Sequence, residues 1–169
     1  MKKLNNKGFT LVELLAVIVV LAIVMGLAVV AITGVLDNAR KATFVADAKS
    51  FLEGARNIVT SEEMNSLLDG SASSTYAVAC DSSSIPTSTT IPISAIKVQQ
   101  GGDKSPYGNP YDKAASEIFV SATKDGNDCK YTYSIYLTDG VYAIGKPGDD
   151  GANHIEWGSL STNEVKTVS

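Results

Sequence analysis

A long uncharged apolar run near the N-terminus constrains this chain more than any other feature. From Leu14 to Ile32 there is no charged residue. A helix rises about 1.5 Å per residue, so roughly 20 such residues cross a hydrocarbon core about 30 Å thick. Lys2, Lys3 and Lys7 precede the run with no acid among them. Positive charge before an apolar run holds that end on the cytoplasmic side. A secretory signal peptide and an ordinary membrane anchor are the plain readings. The run is long for the apolar part of a signal peptide, and Glu13 lies in its leading edge. Small residues near Ala28 and Ala31 imitate a signal-peptidase site, so that reading stays open.

Glu13 needs its own explanation. An ionised side chain inside a bilayer costs several kcal/mol, less where it snorkels near a helix end. The plain reading is a carboxylate among headgroups, favoured by the N-terminal helix dipole. The sharper reading depends on a cut between Gly8 and Phe9. The cut frees an α-ammonium on Phe9, about one helical turn from Glu13. In a dry helix bundle the ammonium of a neighbouring subunit would neutralise the carboxylate. That pairing is worth far more there than in water, and an unpaired Glu13 would oppose assembly.

The segment Lys7-Gly8-Phe9-Thr10-Leu11-Val12-Glu13-Leu14, with the apolar run behind it, resembles the type IV prepilin family, including the pseudopilins of type II secretion. The resemblance implies that a membrane prepilin peptidase cuts after Gly8 and methylates the new amino group of Phe9. It makes Glu13 the assembly carboxylate. It implies a single-pass membrane precursor that is later drawn into a filament on the cell surface. The implied partners are other copies and other pilins, the peptidase and N-methyltransferase, and the assembly platform with its ATPase. The roles known in the family are adhesion, aggregation, twitching motility and DNA uptake. A pseudopilin of a secretion machine is the close variant. A membrane-anchored or secreted binding domain with an ordinary signal sequence is the reading from a different class. Many pilins carry proline near the position of Val30. Here Gly26, Thr33 and Gly34 are the weak points, since Gly disfavours a helix interior by about 1 kcal/mol. A gently curved helix is expected, with any local melting near Gly26 to Gly34. Close helix packing at those glycines is the compatible alternative.

The expected fold is α+β and pilin-like: a long N-terminal helix, transmembrane then amphipathic, packed on a small antiparallel sheet. Residues 1–8 read as leader, 9–36 as the membrane and assembly half of the helix, and 37–68 as its amphipathic half. Over the latter, Leu36, Ala39, Phe44, Ala48, Phe51, Leu52, Ala55, Ile58 and Val59 recur at spacings of three and four. The continuous helix is expected from about Thr10 to Met64. Residues 69–116 read as connector. Within it Tyr76 to Cys80 reads as a short strand or extended piece and Ser82 to Thr90 as loop. Ile91 to Val98 reads as a strand candidate that Pro92 pushes to an edge or to its start. Pro106-Tyr107-Gly108-Asn109-Pro110-Tyr111 is a rigid corner with two rings, and resembles the segment before the sheet in major pseudopilins and some pilins. Residues 117–146 read as a meander of strands Glu117–Ala122, Cys129–Leu137 and Val141–Ile144. Residues 147–169 read as a loop-rich tail, with Ile155 and Trp157 pinned to the sheet.

Cys80 and Cys129 both follow the apolar run. A disulfide between them is allowed if the outside is oxidising. It closes a loop worth roughly 3–5 kcal/mol in the chain-entropy model. Two buried thiols that never meet are the alternative. Cys129 lies well short of the end, so the family's C-terminal disulfide loop cannot be carried over. Major pseudopilins hold calcium in a Gly/Asp-rich C-terminal loop, and Asp149, Asp150 and Asn153 are of similar composition. Calcium needs six to eight oxygens. The spacing matches poorly, and an ordinary turn-rich loop is the favoured reading. Beyond this calcium candidate no cofactor is implied.

A catalytic reading finds no support. The single histidine, His154, sits on a Gly/Asp loop and reads as solvated or packing. No nucleophile elbow or phosphate-cradling Gly motif occurs. With net charge −4 and no basic block outside the N-terminus, no nucleic-acid site is evident in the C-terminal part.

Overall fold

The computed structural model describes residues 10–69, 75–80, 87–98, 103–126, 128–147 and 153–168. The chain divides into two compact units, residues 1–39 and residues 40–169. One helix, α1, spans Leu11–Asp69.

In the first unit α1 is apolar on every side. Each described large apolar side chain from Leu11 to Leu36 is between 46% and 80% exposed. A helix that is apolar all round belongs in a membrane or a helix bundle. It is long and apolar enough to cross a membrane. α1 runs unbroken through the weak points Gly26, Thr33 and Gly34, with no local melting there in the single chain. Helix propagation is cooperative, and an isolated glycine costs less than a break would.

In the second unit α1 becomes one-sided. Phe44, Ala48, Phe51, Leu52, Ala55 and Val59 are buried at spacings of three and four. Leu36 and Ala39, expected on this stripe, are exposed and belong to the first unit. The partner of the stripe is a six-stranded antiparallel sheet: β1 (Ser88–Pro92), β2 (Glu117–Asp125), β3 (Asp128–Thr138), β4 (Tyr142–Ile144), β5 (Ile155–Glu156) and β6 (Val165–Thr167). The order is β1-β2-β3-β4-β6, with β5 paired to β3. The meander was legible in the alternation. Ile118 faces Ile135, Val120 faces Tyr133 and Ala122 faces Tyr131 across β2 and β3. Cross-strand partners share a face. That face joins α1 in the core, with Ile118, Val120, Ile135 and Leu137 all buried.

The β2–β3 hairpin turns at Gly126, whose φ of +64° suits glycine. The β3–β4 turn is built on Asp139. Its Oδ1 accepts the N–H of Val141 at 3.0 Å and of Tyr142 at 2.7 Å, and its Oδ2 accepts the Ser105 hydroxyl.

Three strands depart from the sequence reading. β1 lies at Ser88–Pro92, partly inside the stretch read as loop, and is followed by a 3₁₀ turn at Ile93–Ala95. Threonine is a good strand former, and Pro92 ends an edge strand where its missing N–H costs nothing. The tail is not all loop: β5 and β6 lie within it. Strands of two or three residues carry no readable alternation. Tyr76 to Cys80 forms no strand, although Ala77 and Val78 are buried.

The corner at residues 106–111 locks sheet to helix. Tyr111 meets Phe44 edge-on at 5.4 Å and Phe51 at 5.9 Å, and its hydroxyl donates to Asp47 Oδ2 at 2.7 Å. Burial is the main cause that raises both the Asp47 carboxyl and the Tyr111 phenol, and for the phenol the Asp47 carboxylate adds to it. Tyr107 stacks on Tyr142 at 3.7 Å, with the Arg40 guanidinium 5.8 Å from the Tyr107 ring centre.

Candidate functional site

The start of α1 carries the residues singled out for assembly. Thr10 precedes the first helical residue, and its carbonyl accepts the Leu14 N–H at 3.2 Å. Its hydroxyl accepts the Glu13 N–H at 3.3 Å. In return Glu13 Oε2 accepts the Thr10 N–H at 2.9 Å and the Thr10 hydroxyl at 2.8 Å. This reciprocal arrangement is a capping box. It satisfies donors that a helix start otherwise leaves open, and it sets the Glu13 carboxylate beside the helix dipole's positive end. Gly8 and Phe9 lie outside the described residues.

Thr10 is the residue that sequence reasoning missed. Its signal was present: Thr10-Leu11-Val12-Glu13 has the T-x-x-E spacing of a capping box before an apolar run. In the single chain, then, Glu13 is tied to the backbone of its own helix. Any partner from another chain adds to that bond or competes with it.

Along the first unit the apolar surface is continuous and carries small residues. A Cβ added at Gly26 or Gly34 would meet nothing within 4 Å. Such positions allow close helix approach.

In the second unit, Cys80 and Cys129 are paired, with Cα atoms 5.7 Å apart, inside the range a disulfide spans. The pair fastens the stretch after α1 to the start of β3. Tyr131, two residues further on, donates its hydroxyl to Glu63 of α1 and reaches the Val78 carbonyl at 3.4 Å. Of the calcium candidates, Asp149 and Asp150 lie outside the described residues. The Asn153 carbonyl accepts the Lys146 N–H at 2.8 Å. Among the described residues no three His, Cys, Asp or Glu side chains gather as a metal site. His154 is buried between Phe119 and Tyr136, with Nε2 3.5 Å from Glu117 Oε1. It is a packing residue that holds the tail on the sheet, not a solvated one.

Residues 3–29 match the prokaryotic N-terminal methylation motif. No curated protein and no solved structure matches the chain. The motif is the leader typical of type IV pilins and pseudopilins, a structural class and not an enzymatic one. It implies processing by a prepilin peptidase and assembly with pilins. With the long helix and antiparallel sheet, the chain is a pilin-like α+β protein.

Proposed function

We propose that this chain is a structural subunit of a type IV pilus. It is inserted as a single-pass precursor, cut after Gly8, N-methylated at Phe9 and polymerised through residues 9–36 into a surface filament. One observation carries the reading: a methylation motif over residues 3–29 covers the start of a helix whose described large apolar side chains from Leu11 to Leu36 are exposed. Roughly 25 cal/mol is gained per Å² of apolar surface removed from water, so such a surface does not remain bare outside a membrane. The bilayer covers it first, and copies of the same helix cover it in the filament.

Glu13 is the assembly carboxylate in this reading. The methylated ammonium of Phe9 in a neighbouring subunit pairs with it. The capping box keeps the carboxylate at the helix start until then. The Cys80–Cys129 bridge forms on export and holds the head closed. The filament serves adhesion, aggregation, motility or DNA uptake.

The test is a Glu13→Ala chain expressed as the sole copy. It should be inserted and processed but yield few or no filaments on shearing. Filaments in normal number from that chain alone would refute the carboxylate pairing. A second reading, a pseudopilin of a secretion system, draws on the Pro-Tyr-Gly-Asn-Pro-Tyr corner. Loss of a secreted substrate upon deletion, with surface filaments unaffected, would favour it.

A further inference from the structure

On the β2 side β3 is paired from Asp128 to Tyr136. On the other side it meets β5 only at Ser134 and Ile135 and β4 only at Leu137 and Thr138. Among the described residues, the stretch 128–133 has no strand on that second edge. A groove of about 580 Å³ runs there, bounded by α1, β3 and the turn after β5. Its size falls within the roughly 300–1,000 Å³ of small-molecule sites.

Its lining combines aromatic rings with charges of both signs. Tyr131, Tyr133 and Trp157 bring three aromatic rings, each half-buried and packed against the core. Between them stand two cations, Arg56 and Lys130, and two carboxylates, Glu63 and Glu156. Tyr131 is anchored by its bond to Glu63, and the disulfide at Cys129 fixes one end. Burial first, and the Glu63 carboxylate second, raise both phenols, so they remain neutral hydroxyl groups at physiological pH.

The balance of charge selects the ligand. Two carboxylates offset the two cations, which disfavours phosphate and nucleic acid. The two cations in turn oppose a quaternary ammonium, although three rings alone would suit one. What remains is a neutral molecule with hydroxyls that both donate and accept, and with an apolar face to lie on a ring. Each hydroxyl can bridge a guanidinium or ammonium donor and a carboxylate acceptor. An open strand edge by itself would also admit an extended peptide, but charges of both signs set among rings suit a polyol better.

We propose that this groove is a saccharide-binding site, taking a short neutral oligosaccharide against Trp157 and Tyr133, with Glu156 and Arg56 bonding its hydroxyls. The site lies wholly within the second unit and stands whether or not the chain enters a filament.

Trp157 is the chain's only tryptophan and lines the groove, so its emission reports occupancy directly. The full chain, in lauryldimethylamine oxide to avoid a sugar-headed detergent, is titrated with chitotriose, lactose and maltotriose. Sodium phosphate, tetramethylammonium and an extended Thr/Val peptide serve as comparators. A saturable change with at least one saccharide is expected, with none from phosphate. Glu156→Gln and Arg56→Gln should each weaken it about tenfold or more, the scale of a charge-assisted hydrogen bond. Both side chains are exposed, so the unfolding curve should not move. No saturable change with any of these saccharides overturns the site. So does a response confined to tetramethylammonium or to the peptide, or undiminished saccharide binding in both variants.

Discussion

Two stretches of one helix make the instructive comparison. From Leu11 to Leu36 the described large apolar side chains are exposed; from Phe44 to Val59 an apolar stripe is buried and polar residues occupy the other side. Apolar content does not separate them. The presence of a partner does. The second stretch finds a sheet within its own chain, so its pattern narrows to one face. Among the described residues the first has no such partner, and its sequence does not narrow. A stretch that is apolar all round is written for surroundings that are apolar all round, first lipid and then, in the proposed filament, other helices.

Core truncation should separate the stretches most sharply. Phe44→Ala removes a fully buried ring that packs on Tyr111, and should cost about 3–5 kcal/mol in denaturant unfolding of the head. Val24→Ala should leave that transition where it is and act only on assembly. Equal losses from both would break the comparison.

The disulfide comes next. Cys80→Ser with Cys129→Ser should lower head stability by about 2–4 kcal/mol, read as a lowered denaturant midpoint. Non-reducing peptide mapping of exported protein should find the two cysteines joined. Free thiols at both positions would remove the bridge from the account.

Gly54 and Gly26 give a smaller but cleaner contrast. A Cβ on Gly54 would clash with the Ile96 side chain. Gly54→Ala should therefore destabilise by about 1–3 kcal/mol, despite alanine's better helix propensity. Gly26→Ala meets no atom within 4 Å and should leave head unfolding unchanged.

The smallest effect concerns Asp47. Its folded pKa is raised above the ordinary 3.8, by burial against the opposing hydrogen bond from Tyr111. The folded state therefore binds the proton more tightly than the unfolded state. Asp47 disfavours folding when ionised, and that penalty is relieved as pH falls towards 3.8 through the folded pKa. Asp47→Asn keeps an acceptor for Tyr111 and removes this acid-side gain, so the variant should lose more stability than the parent as pH falls, without loss at neutral pH. A shallower acid-side loss in the variant would reverse the assignment.

Much of this was legible in the sequence, for identifiable reasons. The alternation of Ile118, Val120 and Ala122 against Tyr131, Tyr133 and Ile135 gave the central hairpin, because half-buried strands have period two. The stripe from Phe44 to Val59 gave the packing face of α1. The tail strands β5 and β6 were illegible because two or three residues hold no period. β1 was hidden because Ser88, Thr89 and Thr90 read as loop by composition, while their pairing with Ser121, Val120 and Phe119 is long-range. At the helix start, the T-x-x-E spacing of Thr10 and Glu13 is present in the sequence, but a carboxylate at the edge of an apolar run is the stronger signal and masks its cap. The groove beside β3 depended on where β5 stops, which no local pattern announces.

The central claim is that Phe9 begins the working chain and that the helix behind it is a surface for other subunits. Mass spectrometry of the N-terminal peptide from sheared surface material tests it most directly. A peptide that starts at N-methylated Phe9 is expected. A chain that retains Met1, or one cut near Ala31 with the apolar helix discarded, would contradict it.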